Sequence, residues 1–274
     1  MVNGAKRVLV FDSGVGGLSV LDAIAASGYA LDLAYIADNA WLPYGLKSDA
    51  QIRARVPALL SSVVAQWAPD AVVVACNTAS TIALEPVRAA LTTPVVGVVP
   101  PVKPAAALTK TGAIGLLATP ATVERAYTSD LIAQFAAGKH VVRYGSAALV
   151  DAAERKLRGE VPTPAAITDA IRGLFEAPGG SDIDVVALAC THFPLLAGEL
   201  AAAAPRACVW LDSGNAIARR LAHVLGAETG TARAQRAAFT SLDSARASLR
   251  AFEARGFCVF SHIDEGAGFK VVSV

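Results

Sequence analysis

Residues 70–80 read DAVVVACNTAS, and residues 184–194 read DVVALACTHFP. Each stretch is an aspartate, a short apolar run, Ala-Cys and then threonine-bearing polar residues. A continuous apolar run of this length, bounded by polar residues, fits a strand covered on both faces of a parallel sheet. Two such strands, far apart in sequence and each ending on a cysteine, predict two similar α/β halves in one chain.

The surrounding pattern carries the same message. Strands are expected at 7–12 (RVLVFD), 31–38, 95–100, 113–119, 140–145, 182–190 and 208–214. Helices are expected at 18–26, from Ser48 through the Pro57 region, and at 79–91, 120–136, 148–158, 165–176, 215–225 and 243–255. Ser48 and Gln51 stand in capping-box spacing. Short strands alternating with helices predict an α/β fold: two pseudosymmetric lobes, each a mainly parallel sheet flanked by helices, with the active site in the cleft between them. FDSGVGG at 11–17 is echoed by LDSGNAI at 211–217. With the proline-rich VVPPVKP at 98–104 as a boundary, the expected domains are 1–97 plus 209–274 and 98–208, the LDSG strand returning the chain to the first lobe.

Composition narrows the class of partner. Of 274 residues 54% are hydrophobic and 17% charged, the balance of a well-filled globular protein rather than a disordered one. A net charge of +1 without a basic block leaves no electrostatic footprint for nucleic acid or an anionic membrane, so a small molecule is the expected partner. No apolar run approaches a membrane span. The N-terminal MVNGAKRVLVFDSG enters a strand pattern at once without a secretory hydrophobic region, which points to the cytoplasm. The four cysteines fit reduced thiols there, and no Cys-x-x-Cys or clustered Cys/His set implies zinc.

In parallel α/β sheets ligands bind beyond the carboxyl ends of the strands. Asp12 and Ser13, Asp38 and Asn39, Cys76-Asn77-Thr78, Thr119, and Cys190-Thr191-His192 all fall at such ends. A buried cysteine is ordinarily only packing. For Cys208 and Cys258 that explanation suffices. Cys76 and Cys190 are each expected where a strand gives way to a helix, and oriented amides there lower a thiol's pKa. DSGVGGLS has the spacing of neither a dinucleotide fingerprint nor a phosphate loop. Its glycines fit either a tight turn with Asp12 or Ser13 as cap, or a carboxylate-holding loop of backbone amides. His192, beside Cys190, is the one histidine next to another candidate catalytic group. Tyr44, in the turn built by Pro43 and Gly45, is either packing or a ligand contact.

Taken together, FDSGVGGLSV, ADNAWLPYG, VVACNTAS, GLLATPAT, LVDAAERKLRG, ALACTHFPLL and LDSG, in that order, resemble the glutamate racemases of the cofactor-independent aspartate/glutamate racemase superfamily. The resemblance implies Cys76 and Cys190 as acid/base residues on opposite faces of the substrate Cα. It further implies that Asp12 assists Cys76, and that Glu154 and His192 assist Cys190. Ser13, Asn77, Thr78, Thr119, Thr122 and Thr191 would hold the amino and carboxylate groups, with Pro43, Tyr44 and Gly45 closing that side. No cofactor, neither pyridoxal phosphate nor metal, is implied. The expected substrate is glutamate, with D-glutamate passing to peptidoglycan. The AERKLRG segment is closest to the branch activated by UDP-N-acetylmuramoyl-alanine, and a homodimer is compatible with the family. Trp41 departs from the arginine found there in many members. An aspartate racemase would use the same chemistry. A Cys–His hydrolase would leave ACNT without a role, and a two-lobed binding protein for acidic amino acids would not need both thiols.

Overall fold

The computed structural model describes residues 4–273. Eleven strands lie among them: β1 (Lys6–Asp12), β2 (Leu31–Ala37), β3 (Ala71–Val74), β4 (Val95–Gly97), β5 (Ala113–Ala118), β6 (His140–Gly145), β7 (Val185–Leu188), β8 (Val209–Leu211), β9 (Arg233–Phe239), β10 (Val259–Asp264) and β11 (Lys270–Ser273). They form two sheets, and the chain divides into two compact units. One runs up to Val98 and resumes at Gly214; the other is Val99–Ser213.

The first unit carries a seven-stranded sheet in the order β11-β10-β9-β2-β1-β3-β4. All its strand pairs are parallel except β10 with β11. Val8 to Phe11 and Ala71 to Val74 are at most 1% exposed, as expected of strands with helices on both faces. Full burial of each valine or leucine contributes about 1.5–3 kcal/mol. The helix Asp49–Trp67 starts with the capping box read from the sequence, Ser48 and Gln51 each bonding the other's backbone N–H, and it carries Pro57 in its interior.

The second unit carries a four-stranded, all-parallel sheet in the order β6-β5-β7-β8. Its topology repeats the β2-β1-β3-β4 core of the first unit strand for strand. Cys76 therefore follows the third strand of one core and Cys190 the third strand of the other. In each core the first and third strands are neighbours although the chain visits the second between them. This is the switch point at which parallel sheets open a ligand site.

Three expectations need correction. LDSG does not carry the chain back to the first sheet: β8 pairs with β7 and is the fourth strand of the second core, the counterpart of β4. The single helices expected at 120–136 and 243–255 are each broken, into Pro120–Val123 and Ala126–Phe135, and into Leu242–Ala245 and Leu249–Glu253 with the 3-10 segment Arg246–Ser248 between them. The last fifty residues, in which only one helix was legible, contribute β9, β10 and β11, and β9 extends the first sheet by pairing with β2. Among the described residues no helix is long and apolar enough to cross a membrane.

Candidate active site

In the first unit the chain leaves β1 at Asp12, which is 1% exposed. Its Oδ2 accepts the Gly17 N–H at 2.8 Å, so the carboxylate closes the 12–17 loop on itself immediately before the helix Leu18–Ala25. Tyr35 Oη donates to the Gly14 carbonyl at 2.9 Å and holds the loop from the neighbouring strand. A Cβ at residue 17 would lie 2.7 Å from Tyr35 Oη and 2.8 Å from Asp12 Cβ, so only glycine fits.

Cys76 is the N-cap of the helix Asn77–Ala90. Its Sγ accepts the Ala79 N–H at 3.4 Å and lies 3.4 Å from Ser13 Oγ. The helix-terminal setting expected from sequence is present, but it does not decide the thiol's pKa. Burial, reinforced by the Asp12 carboxylate, pushes it up to about 12 against the lowering effect of Ser13 and the amides. A buried thiolate is costlier than these hydrogen bonds recover, and the free protein holds Cys76 as a neutral thiol. Beside it, Asn77 is 8% exposed and its Oδ1 accepts no hydrogen bond from the protein. Thr78 is 6% exposed in the same turn.

The Pro43–Tyr44–Gly45 turn is seated on the same core. Tyr44 is buried in one apolar cluster with Cys76, whereas Pro43 is exposed. Tyr44 Oη donates to Asp38 Oδ2 at 2.5 Å. Burial, and then the Asp38 charge, hold this phenol well above its ordinary pKa, so it stays protonated. Its position at a strand end makes Asp38 a candidate for chemistry in the sequence. It is instead fully enclosed by protein partners: Arg55 Nε and Nη2, both at 2.7 Å, and Thr240 Oγ1 at 2.9 Å. Sequence reasoning passed over Arg55 altogether, because a lone arginine inside an amphipathic helix shows no sign of its partner.

In the second unit Cys190 is buried just past β7. A turn and the short 3-10 segment Phe193–Leu196 follow before the helix Ala197–Ala203, so the cysteine is not itself a helix cap as Cys76 is. Its titratable neighbour is an imidazole. His192 Nδ1 lies 3.8 Å from Cys190 Sγ, and His192 Nε2 lies 2.8 Å from Glu154 Oε1. Burial disfavours the imidazolium, but the hydrogen bonds to Cys190 and Glu154 and their charges outweigh it, raising the His192 pKa well above its ordinary value. Glu154 comes from the helix Ala147–Leu157, which Lys156 ties to the cysteine loop by donating to the Leu195 carbonyl at 2.9 Å and pairing with Glu199 at 2.6 Å. Thr191 is buried beside Cys190.

At the end of β5, Thr119 caps the helix Pro120–Val123, and its Oγ1 is 2.9 Å from Thr122 Oγ1. Thr122 is fully buried. A Cβ at Gly145 would meet Pro120 Cα at 2.6 Å, so glycine there lets β6 pass close to this threonine turn. The structure thus gathers Asp12, Ser13, Tyr44, Cys76, Asn77 and Thr78 in the first unit. In the second, Glu154, His192 and Cys190 form one chain of contacts with Thr191 beside it, and Thr119 and Thr122 pair at the neighbouring strand end.

Residues 17–221 match the Asp/Glu/hydantoin racemase family. The chain belongs to that family. A glutamate racemase of Sphingopyxis alaskensis is 54% identical over 79% of this chain and 81% of its own length. One from Vibrio cholerae is 49% identical over 81% and 82%. Escherichia coli glutamate racemase, solved in complex with L-glutamate and the activator UDP-MurNAc-Ala, superposes with a TM-score of 0.88 at 42% identity, over 98% of this chain and 100% of that one. Both racemase motifs, VVACNTAS and ALACTHFPLL, lie within the matched residues.

Proposed function

We infer that the chain is a glutamate racemase, an isomerase that interconverts L- and D-glutamate by proton transfer at Cα. Inverting a stereocentre requires a proton taken from one face and another delivered to the opposite face. Cys76 and Cys190 serve as these two groups, exchanging roles between the two directions. The observation that carries this is topological: each thiol stands after the third strand of one of two matching four-strand cores.

The two thiols are supported by different means. Cys190 has an imidazole paired with a carboxylate, suited to accepting and returning the thiol proton. Cys76 has the Ser13 hydroxyl, the Ala79 N–H and, behind them, the Asp12 carboxylate. From the L side one cysteine, as thiolate, takes the Cα proton and becomes a thiol, while the other donates its proton to the opposite face and is left as the thiolate. From the D side the order reverses. The unpartnered Asn77 Oδ1 is a ready acceptor for the substrate ammonium, and the hydroxyls of Ser13, Thr78, Thr119, Thr122 and Thr191 are donors for its carboxylates. Pro43, Tyr44 and Gly45 complete the first unit's side. Hydrogen bonds to the Cα carboxylate gain strength as carbanionic charge spreads onto it.

The product D-glutamate serves peptidoglycan synthesis in the cytoplasm, where thiols stay reduced. We assign the same precursor class seen with the Escherichia coli enzyme, UDP-MurNAc-Ala, as activator. A homodimer is the assembly we expect. The deciding experiment incubates the purified protein with L-glutamate, and separately L-aspartate, without cofactor. Loss of optical rotation with glutamate alone is the expected result. Loss with aspartate alone would move the assignment to a sibling racemase, and no change with either acid would overturn it.

A further inference from the structure

Arg55 draws together four groups from two separate segments of the first unit, the loop after β2 and the turn between β10 and β11. Its Nε and Nη2 hold Asp38, while Nη1 and Nη2 reach Glu265 at 3.0 and 2.5 Å. Its Cζ lies 4.3 Å from the centre of the Trp41 ring and 5.2 Å from that of Phe269. The guanidinium is thus held in plane by two carboxylates and covered by two aromatic rings. Its side chain is 7% exposed and that of Asp38 fully buried, whereas that of Glu265 is 38% exposed. Asp38 passes the constraint on through its bond to Tyr44, in the turn that packs with Cys76.

Glu265 and Phe269 belong to the turn between β10 and β11, in the stretch of chain outside the racemase match. An exposed carboxylate on an arginine is usually a surface pair worth about 0–1 kcal/mol. Here the arginine is buried, and the carboxylate it shares its fork with is the acceptor for Tyr44. We propose that Glu265, acting through Arg55 and Asp38, is a positioning residue for the Pro43–Tyr44–Gly45 turn, so that the C-terminal hairpin sets how tightly the substrate is held. This rests on the glutamate racemase function proposed above.

The hairpin has its own attachment to the helix Asp49–Trp67. Ser62 Oγ donates to the Gly268 carbonyl at 2.9 Å, and Gln66 Oε1 accepts the Val271 N–H at 3.0 Å. Removing the Glu265 side chain therefore leaves the hairpin docked and takes away one of the two carboxylates that fix the guanidinium, which keeps its bonds to Asp38.

The test measures glutamate racemisation and thermal melting for the full-length wild type, Glu265→Ala, Glu265→Gln, Tyr44→Phe and the double variant Glu265→Ala/Tyr44→Phe. Glu265→Ala is expected to raise KM about 3–10-fold with kcat within about twofold, the signature of lost ground-state binding. Glu265→Gln keeps an acceptor and falls between; if the alanine variant melts early, it carries the comparison alone. Once Tyr44→Phe has cut the link to Asp38, Glu265→Ala should add little, which is the non-additivity of residues in one network. An unchanged KM in the folded Glu265 variants, or effects that multiply in full in the double variant, would overturn the proposal. An inactive wild type would instead remove the racemase function beneath it.

Discussion

His192 Nε2 sits 2.8 Å from Glu154 Oε1, and both groups are largely withdrawn from water. In the proposed mechanism this carboxylate stabilises the imidazolium that forms when His192 takes the Cys190 proton. Glu154→Gln keeps the shape and removes the charge. It should lower kcat on the order of a hundredfold, in the range of a positioned acid/base group, with little change in KM.

The same pair gives a stability signature. The folded His192 pKa lies above its unfolded value, so its contribution is fully present below about 6.5 and is lost as pH rises through the folded value. Melting curves from pH 5 to 9 should show the wild type losing a stabilisation on the alkaline side. Glu154→Gln should show less of that loss. Parallel pH profiles for the two proteins would contradict the pairing.

Cys76 is a buried neutral thiol in the free protein, its pKa pushed up to about 12, whereas Cys258 is exposed. Iodoacetamide at pH 8, followed by peptide mass mapping, should label Cys258 well before Cys76, because the thiolate is the reacting species. Faster labelling of Cys76 would mean that Ser13 and the Ala79 amide outweigh burial after all.

Gly17→Ala tests the loop that places Asp12. The new methyl would meet Tyr35 Oη and Asp12 Cβ at 2.7 and 2.8 Å, a forced overlap worth about 1–3 kcal/mol. Urea denaturation should show that loss, together with a fall in racemisation as Asp12 shifts. A variant with wild-type midpoint and turnover would show that the loop yields freely.

Much of this was legible in the sequence because it is local. The apolar runs of β3 and β7 identify buried parallel strands, and Cys76 and Cys190 stand out because two such strands end alike. The Ser48 capping box needs only three residues' spacing. Non-local relations left no such trace. Nothing near Arg55 names Asp38 or Glu265 as its partners, since contacts across 17 and 210 residues are made by the fold. The LDSG echo misled for a related reason: likeness to FDSG is local, whereas strand pairing decides the sheet to which Val209–Leu211 belongs. The thiol pKa was misjudged because helix-terminal position can be read from sequence and the depth of burial cannot.

The central claim is that two thiols act on one Cα, and the early fate of solvent deuterium tests it most directly. Protiated L-glutamate, and separately D-glutamate, would be converted in deuterium oxide to a few per cent, and the label in each enantiomer measured by mass spectrometry. Two separate acid/base groups predict one deuterium in the newly formed enantiomer and an unlabelled remaining substrate, from either side. Equal label in recovered substrate and product, or a product that keeps the original proton, would mean one base serving both faces and would contradict the account.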